Sequence, residues 1–64
     1  MGFNFKLHNA IKEKFKSQVA FSYKINVDAA IISQVVNGWK ILPETTKQKW
    51  AERLGCEYEE IWGE

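Results

Sequence analysis

The sequence predicts an all-α fold: a compact bundle of about five short helices spanning residues 1–64 as one domain. Three observations carry that prediction. Leu7, Ile11 and Phe15 recur every four residues and mark one face of a helix. Residues 17–38 divide into two short apolar-rich segments with only a few residues between them. Gly38, Pro43 and Gly55 stand where helices would stop or start.

The first helix carries Leu7, Ile11 and Phe15 inward, with Lys6, Lys12, Lys14 and Lys16 on its other faces. Phe3 and Phe5 precede it and are expected to fold back on the core. His8 is expected at its surface, since a ligand role needs partners that the chain lacks. The second helix runs from about Gln18 to Lys24, capped by Ser17. The third runs from about Ala29 to Asn37, capped by Asp28 and stopped by Gly38. A steep crossing of two helices so close in sequence needs a small residue at the contact, and Ser22 supplies it. It also needs a residue that tolerates positive φ, and Asn26 does so better than most. Phe21, Ile25, Val27, Ile32 and Val35 are spaced to fill the wedge between them. The third helix is rich in β-branched residues of modest helix propensity, so tertiary packing must hold it.

Trp39-Lys-Ile-Leu42 reads as a loop. Pro43 fits the first turn of a fourth helix, where a missing N–H costs little. That helix ends near Leu54, with Gly55 just beyond, and buries Trp50, Ala51 and Leu54. A last helix, from about Glu57 to Trp62, would press Ile61 and part of Tyr58 or Trp62 onto the core.

A chain of 64 residues supports one small core and buries only about 60% of its unfolded surface. It has one Cys, so no internal disulfide can form, and no metal-ligand set. Cys56 reads as a small hydrophobe. A free Cys without a signal peptide leads to the expectation of a reducing, cytoplasmic setting. No apolar run is long enough to cross a membrane. One His, one Cys and no glycine-rich phosphate loop argue against an enzyme and against a cofactor. Net charge is only +1, but it is unevenly spread. Residues 1–24 hold five Lys and one Glu; residues 44–64 hold three basic and six acidic side chains. Glu57, Glu59, Glu60 and Glu64 should therefore face away from any phosphate surface. The alternative is two ordinary solvated helix faces.

The paired segments have the form of a helix-turn-helix, and their spacing resembles the lambda-repressor-like family of phage repressors and Cro proteins. Ser17-Gln18 opens helix 2, Ile32-Ser33 sits in helix 3, and Asn37-Gly38 closes it, followed by Pro43. Leu54-Gly55 ends helix 4. The resemblance covers nearly the whole chain, with helix 1 its least specific part. Asn26 stands where the family usually has Gly, and Ser22 where it usually has Ala.

The resemblance implies a transcriptional regulator that binds double-stranded DNA as a homodimer on a pseudo-palindromic operator, with helix 3 in the major groove. Base contacts would then come from Ala29, Ala30, Ile31, Ser33 and Gln34. Only Gln34 offers the paired donor and acceptor that read adenine. Ala29, Ala30 and Ile31 can touch thymine methyls or exclude water, and Asp28 is more simply a cap than a partner for cytosine. Phosphate contacts would come from Ser17, Gln18, Asn37 and Lys40, with Lys14 and Lys16 adding charge. Each has a bland reading: Asn37-Gly38 as a helix ending, the lysines as solubility.

Helix 3 is unusually apolar for that task. Val19, Ile31, Val36, Trp39 and Ile41 are left over once the core is assigned, and a contiguous apolar patch often marks an interface. Trp39, Ile41 and Val36 would form a dimer contact or a partner surface, and a protein partner would in that reading cover helix 3 itself. In the second case the chain would be an antirepressor or modulator using the same fold. Trp39 folding onto the core is the remaining alternative.

Overall fold

The computed structural model describes residues 2–63. It is all-helical: α1 Phe5–Phe15, α2 Gln18–Ile25, α3 Ala29–Val36, α4 Glu44–Leu54 and α5 Tyr58–Trp62. Among the described residues there is no strand. Among the same residues, no helix is long and apolar enough to cross a membrane.

Local chemistry sets most boundaries. The Asn4 side chain accepts from the Leu7 N–H at 3.0 Å and caps α1. That helix ends at Lys16, which takes a left-handed conformation, φ 72°, and donates its N–H back to Ile11 and Lys12. Ser17 follows at once and caps α2 by accepting from Ala20 N–H at 3.1 Å. Asn26 closes α2 in the left-handed region, φ 58° and ψ 45°, as its side chain tolerates. Only Asn26, Val27 and Asp28 separate α2 from α3. Asp28 then accepts from Ala30 N–H at 2.9 Å.

Ser22 is buried, and its hydroxyl is satisfied within α2 by donating to Val19 O at 2.6 Å. The site that would suit Ala thus accepts Ser without an orphaned polar group. Pro43 lies one residue outside α4 as its N-cap, with ψ 154°, not inside the first turn as its missing N–H suggested. Its carbonyl still accepts from Lys47 N–H at 2.9 Å.

The core gathers Leu7 and Ile11 of α1, Phe21 of α2, Ile32, Val35 and Val36 of α3, Trp50, Ala51 and Leu54 of α4, and Ile61 of α5. α1 packs against all four other helices. An aromatic chain runs through the centre: Phe15 to Phe21 at 5.1 Å, then Phe21 edge-on to Trp50 at 5.5 Å, then Trp50 to Trp62 at 6.2 Å. Trp62 is half-buried and donates its indole N–H to Lys47 O at 2.9 Å.

Four expectations need correction. Phe3 and Phe5 do not fold into the core: Phe5 is 68% exposed, and the two rings lie 4.7 Å apart against each other. Phe5 opens α1 on the side away from Leu7 and Ile11. His8 is not a plain surface residue. It is half-buried, with the Phe3 ring 5.2 Å away and its Nδ1 enclosed without a partner. Leu42, assigned only to a loop, is buried and ties that loop to the core. Val36, expected on a partner surface, is fully buried. At 100° per residue, positions 32, 35 and 36 share one face, so Val36 belongs with Ile32.

Candidate nucleic-acid interface

α3 has two unlike sides. Ile32, Val35 and Val36 are buried, whereas Ala30 and Gln34 are exposed and Ala29, Ile31 and Ser33 are half-buried. The outward side thus presents Ala30 and Gln34 openly, while Ala29, Ile31 and Ser33 are only partly exposed at its borders. Asp28, at the head of the helix, has one carboxylate oxygen occupied by the Ala30 N–H. It acts as a cap, and its charge is favourable beside the positive end of the helix.

The far end of α3 is closed by a dense set of bonds. Trp39 and Lys40 both donate N–H groups to Gln34 O, at 2.8 and 3.2 Å. Gly38, with φ 80°, donates to Val35 O at 3.1 Å. The Asn37 amide donates to Ser33 O at 2.8 Å and to Ser33 Oγ at 3.3 Å. That amide closes the helix, so Asn37 and Ser33 occupy each other and are less free for phosphate or base. Lys40 itself is exposed.

At the start of α2, the Ser17 hydroxyl oxygen is committed to Ala20. The helix leaves the N–H groups of Gln18 and Val19 at its open end. Gln18 is half-buried and Lys16 exposed beside it. Lys14 is drawn elsewhere. A Cβ added at Gly55 would lie 3.2 Å from its Nζ, so the ammonium sits against the end of α4. Carbonyls at a helix C-terminus favour a cation, which explains the placement. Lys14 is therefore not beside Ser17-Gln18 as its sequence position suggested.

Lys14 also reaches the field of Cys56. Burial, then the Glu60 carboxylate, raise that thiol above its ordinary value, and Lys14 partly offsets them. Cys56 packs against the core and directs its sulfur at Leu54 O, 3.6 Å away, as a small hydrophobe would. Among the described residues no group of three or more His, Cys, Asp or Glu is placed to hold a metal ion.

Two large apolar side chains stand clear after α3. Trp39 is 78% exposed and Ile41 71%. Trp39 therefore does not fold onto the core. The reason is local: Gly38 turns the chain out, and the loop returns only at Leu42. Val19 and Tyr23, four residues apart on α2, are also exposed. The exposure of Tyr23 had no signal in the sequence beyond its place opposite Phe21. No family model, curated protein or solved structure matches this chain.

Proposed function

We propose that α2 and α3 form a helix-turn-helix and that this chain is a sequence-specific, DNA-binding regulator of the lambda-repressor-like kind. The observation that carries the reading is the outward side of α3. It is short, free of charge beyond its Asp28 cap, and held by a wholly buried opposite side, so it can enter a major groove as a rigid unit. Gln34 would read a base, with Ala30 and Ile31 against thymine methyls. Lys40, Lys16 and the open end of α2 at Gln18 would seat phosphates.

A second reading has its own support in Trp39 and Ile41. Side chains of that size, so exposed and two residues apart, suit a protein contact. They would pair two copies on DNA, or bind another protein if the chain acts as an antirepressor or modulator.

A gel shift against the DNA flanking its own gene, at several salt concentrations, tests the proposal. DNA binding should fall by orders of magnitude between about 50 and 200 mM salt if six or more phosphates are neutralised. Gln34→Ala should cost about 1–3 kcal/mol on the best site and relax specificity at one base pair. Lys40→Ala should weaken all sequences alike and lower the salt slope by about one. Equal effects of Gln34→Ala on specific and random duplexes would remove Gln34 from the reading role. No shift at any salt concentration would favour the protein partner.

A further inference from the structure

α4 has two flanks of opposite charge. Glu44, Gln48 and Glu52, spaced by four, lie on one flank, and Gln48 and Glu52 border the α5 side with Tyr58. Thr46, Lys49 and Arg53 lie on the other. The basic flank does not stand alone. With Ile25 at the end of α2, Val27 from the α2–α3 turn, and Trp50, it lines a groove of about 340 Å³. Lys49 and Arg53 are exposed on its rim, while Ile25 and Val27 are half-buried on its floor. The two cations are four residues apart on one helix and repel each other, so an anion held between them is favoured.

We propose that this groove docks an acidic peptide segment of a partner protein, with carboxylates on Lys49 and Arg53 and one apolar side chain on Ile25 and Val27. The floor decides the class of ligand. The backbone of a duplex offers this floor only the edges of its sugars, whereas an acidic segment with a single Leu or Ile has both a charged and a fully apolar part. Opposite charge steers the encounter and sets the register, and the apolar seat adds desolvation. The groove shares no lining residue with the outward side of α3.

The test uses the full chain and a fluorescein-labelled short peptide of glutamates around a central leucine, read by fluorescence anisotropy at about 150 mM salt, where a Debye length of about 8 Å screens distant charges. The peptide should bind saturably, and replacing its leucine by alanine should weaken it. Lys49→Glu with Arg53→Glu should cost at least about tenfold in affinity. Lys12→Glu with Lys24→Glu makes the same change in net charge on exposed residues outside the groove, and should leave binding within about twofold. Both double variants should stay folded with a modestly lowered far-UV melting midpoint: all four side chains are exposed, but Lys12, Lys24 and Arg53 lie in the last turns of their helices, where a carboxylate opposes the dipole. Equal losses in the two double variants would reduce the effect to net charge and overturn the proposal. So would equal binding of the leucine and alanine peptides. If the Lys49/Arg53 variant binds peptide normally but loses affinity for a random duplex, the groove is a phosphate seat and the peptide proposal falls. None of these outcomes depends on Gln34, so the DNA reading stands or falls separately.

Discussion

The backbone N–H of Asn4 donates to the carbonyl of Val36 at 2.7 Å. That bond ties the residue that caps α1 to the last turn of α3. The Asn4 amide also donates to Ile61 O at 3.2 Å, so one residue touches the ends of three helices. It explains why Val36 is sealed from solvent while Trp39, three residues later, is not. Residues 2–4 cross the end of α3, with Asn4 on Val36 and Gly2 against Gly38.

Asn4→Ala should therefore be more costly than an ordinary surface substitution. The lost cap costs about 0.5–2 kcal/mol, and the lost bond to Ile61 about 0.5–1.5 more. A urea titration should show a lower midpoint with an unchanged slope. A loss below about 0.5 kcal/mol would mean that water replaces both bonds freely.

Gly38→Ala should destabilise the domain for two reasons that add. Its φ of 80° suits glycine, and a Cβ there would run into the Gly2 carbonyl. The left-handed conformation alone costs a non-glycine residue about 1–2 kcal/mol. Thermal melting should show a clear drop, and deletion of residues 1–2 should recover part of it. No recovery would leave backbone conformation as the whole cause.

Ala30→Asp separates fold from function on α3. Ala30 is exposed and lies in the first turn, where a carboxylate gains about 0.3–1 kcal/mol from the helix dipole. The melting midpoint should hold or rise. On the DNA reading, binding to every duplex should be lost, because the new charge faces phosphate and fills a site that favours a methyl contact. Unimpaired DNA binding would place the outward side of α3 outside the groove.

The tyrosine at the head of α5 makes stability depend on pH in the alkaline range. Tyr58 donates its hydroxyl to the Glu44 carboxylate, and that bond, then desolvation and the Glu44 charge, raise its pKa above the usual 10.0. A pKa raised in the folded state means that the folded state holds the proton more tightly. The contribution is full below pH 10 and is lost as pH rises through the folded value. Wild type should lose stability above pH 10 more steeply than Tyr58→Phe. Parallel curves would show the hydrogen bond to be energetically silent in water.

Much of the local structure was legible because its causes act over a few residues. Ser17, Asn26, Asp28, Gly38 and Gly55 each mark a helix end through a side-chain acceptor or a permitted φ. The structure puts those ends within a residue of expectation. The outward side of α3 was mostly legible too, since the 100° step between residues sorts Ala30 and Gln34 from Ile32 and Val35. The site's polar groups were less so. Ser33 and Asn37 have the right chemistry for DNA, yet the sequence does not say that they spend it on each other. Lys14 lies close to Ser17 along the chain, but its helix aims it at the end of α4.

By itself, then, the sequence determined the number and order of the helices, most of their ends, and most of the inward stripe of each, with Val36 and the starts of α1 and α4 as exceptions. Tertiary structure alone decided how far each stripe is covered. Val36 is buried because a segment more than thirty residues away in the chain crosses it, and Leu42 is buried because the loop returns to the core there. Trp39 and Ile41, although apolar as well, stay in solvent because Gly38 turns them outward. The basic groove beside α4 is of the same kind: its cations stand on α4 while Ile25 and Val27 come from the end of α2 and the turn after it, and only packing sets them side by side. Capping and backbone preference are local energies that neighbouring residues reveal. Burial is a property of which surfaces meet, and that depends on the whole chain.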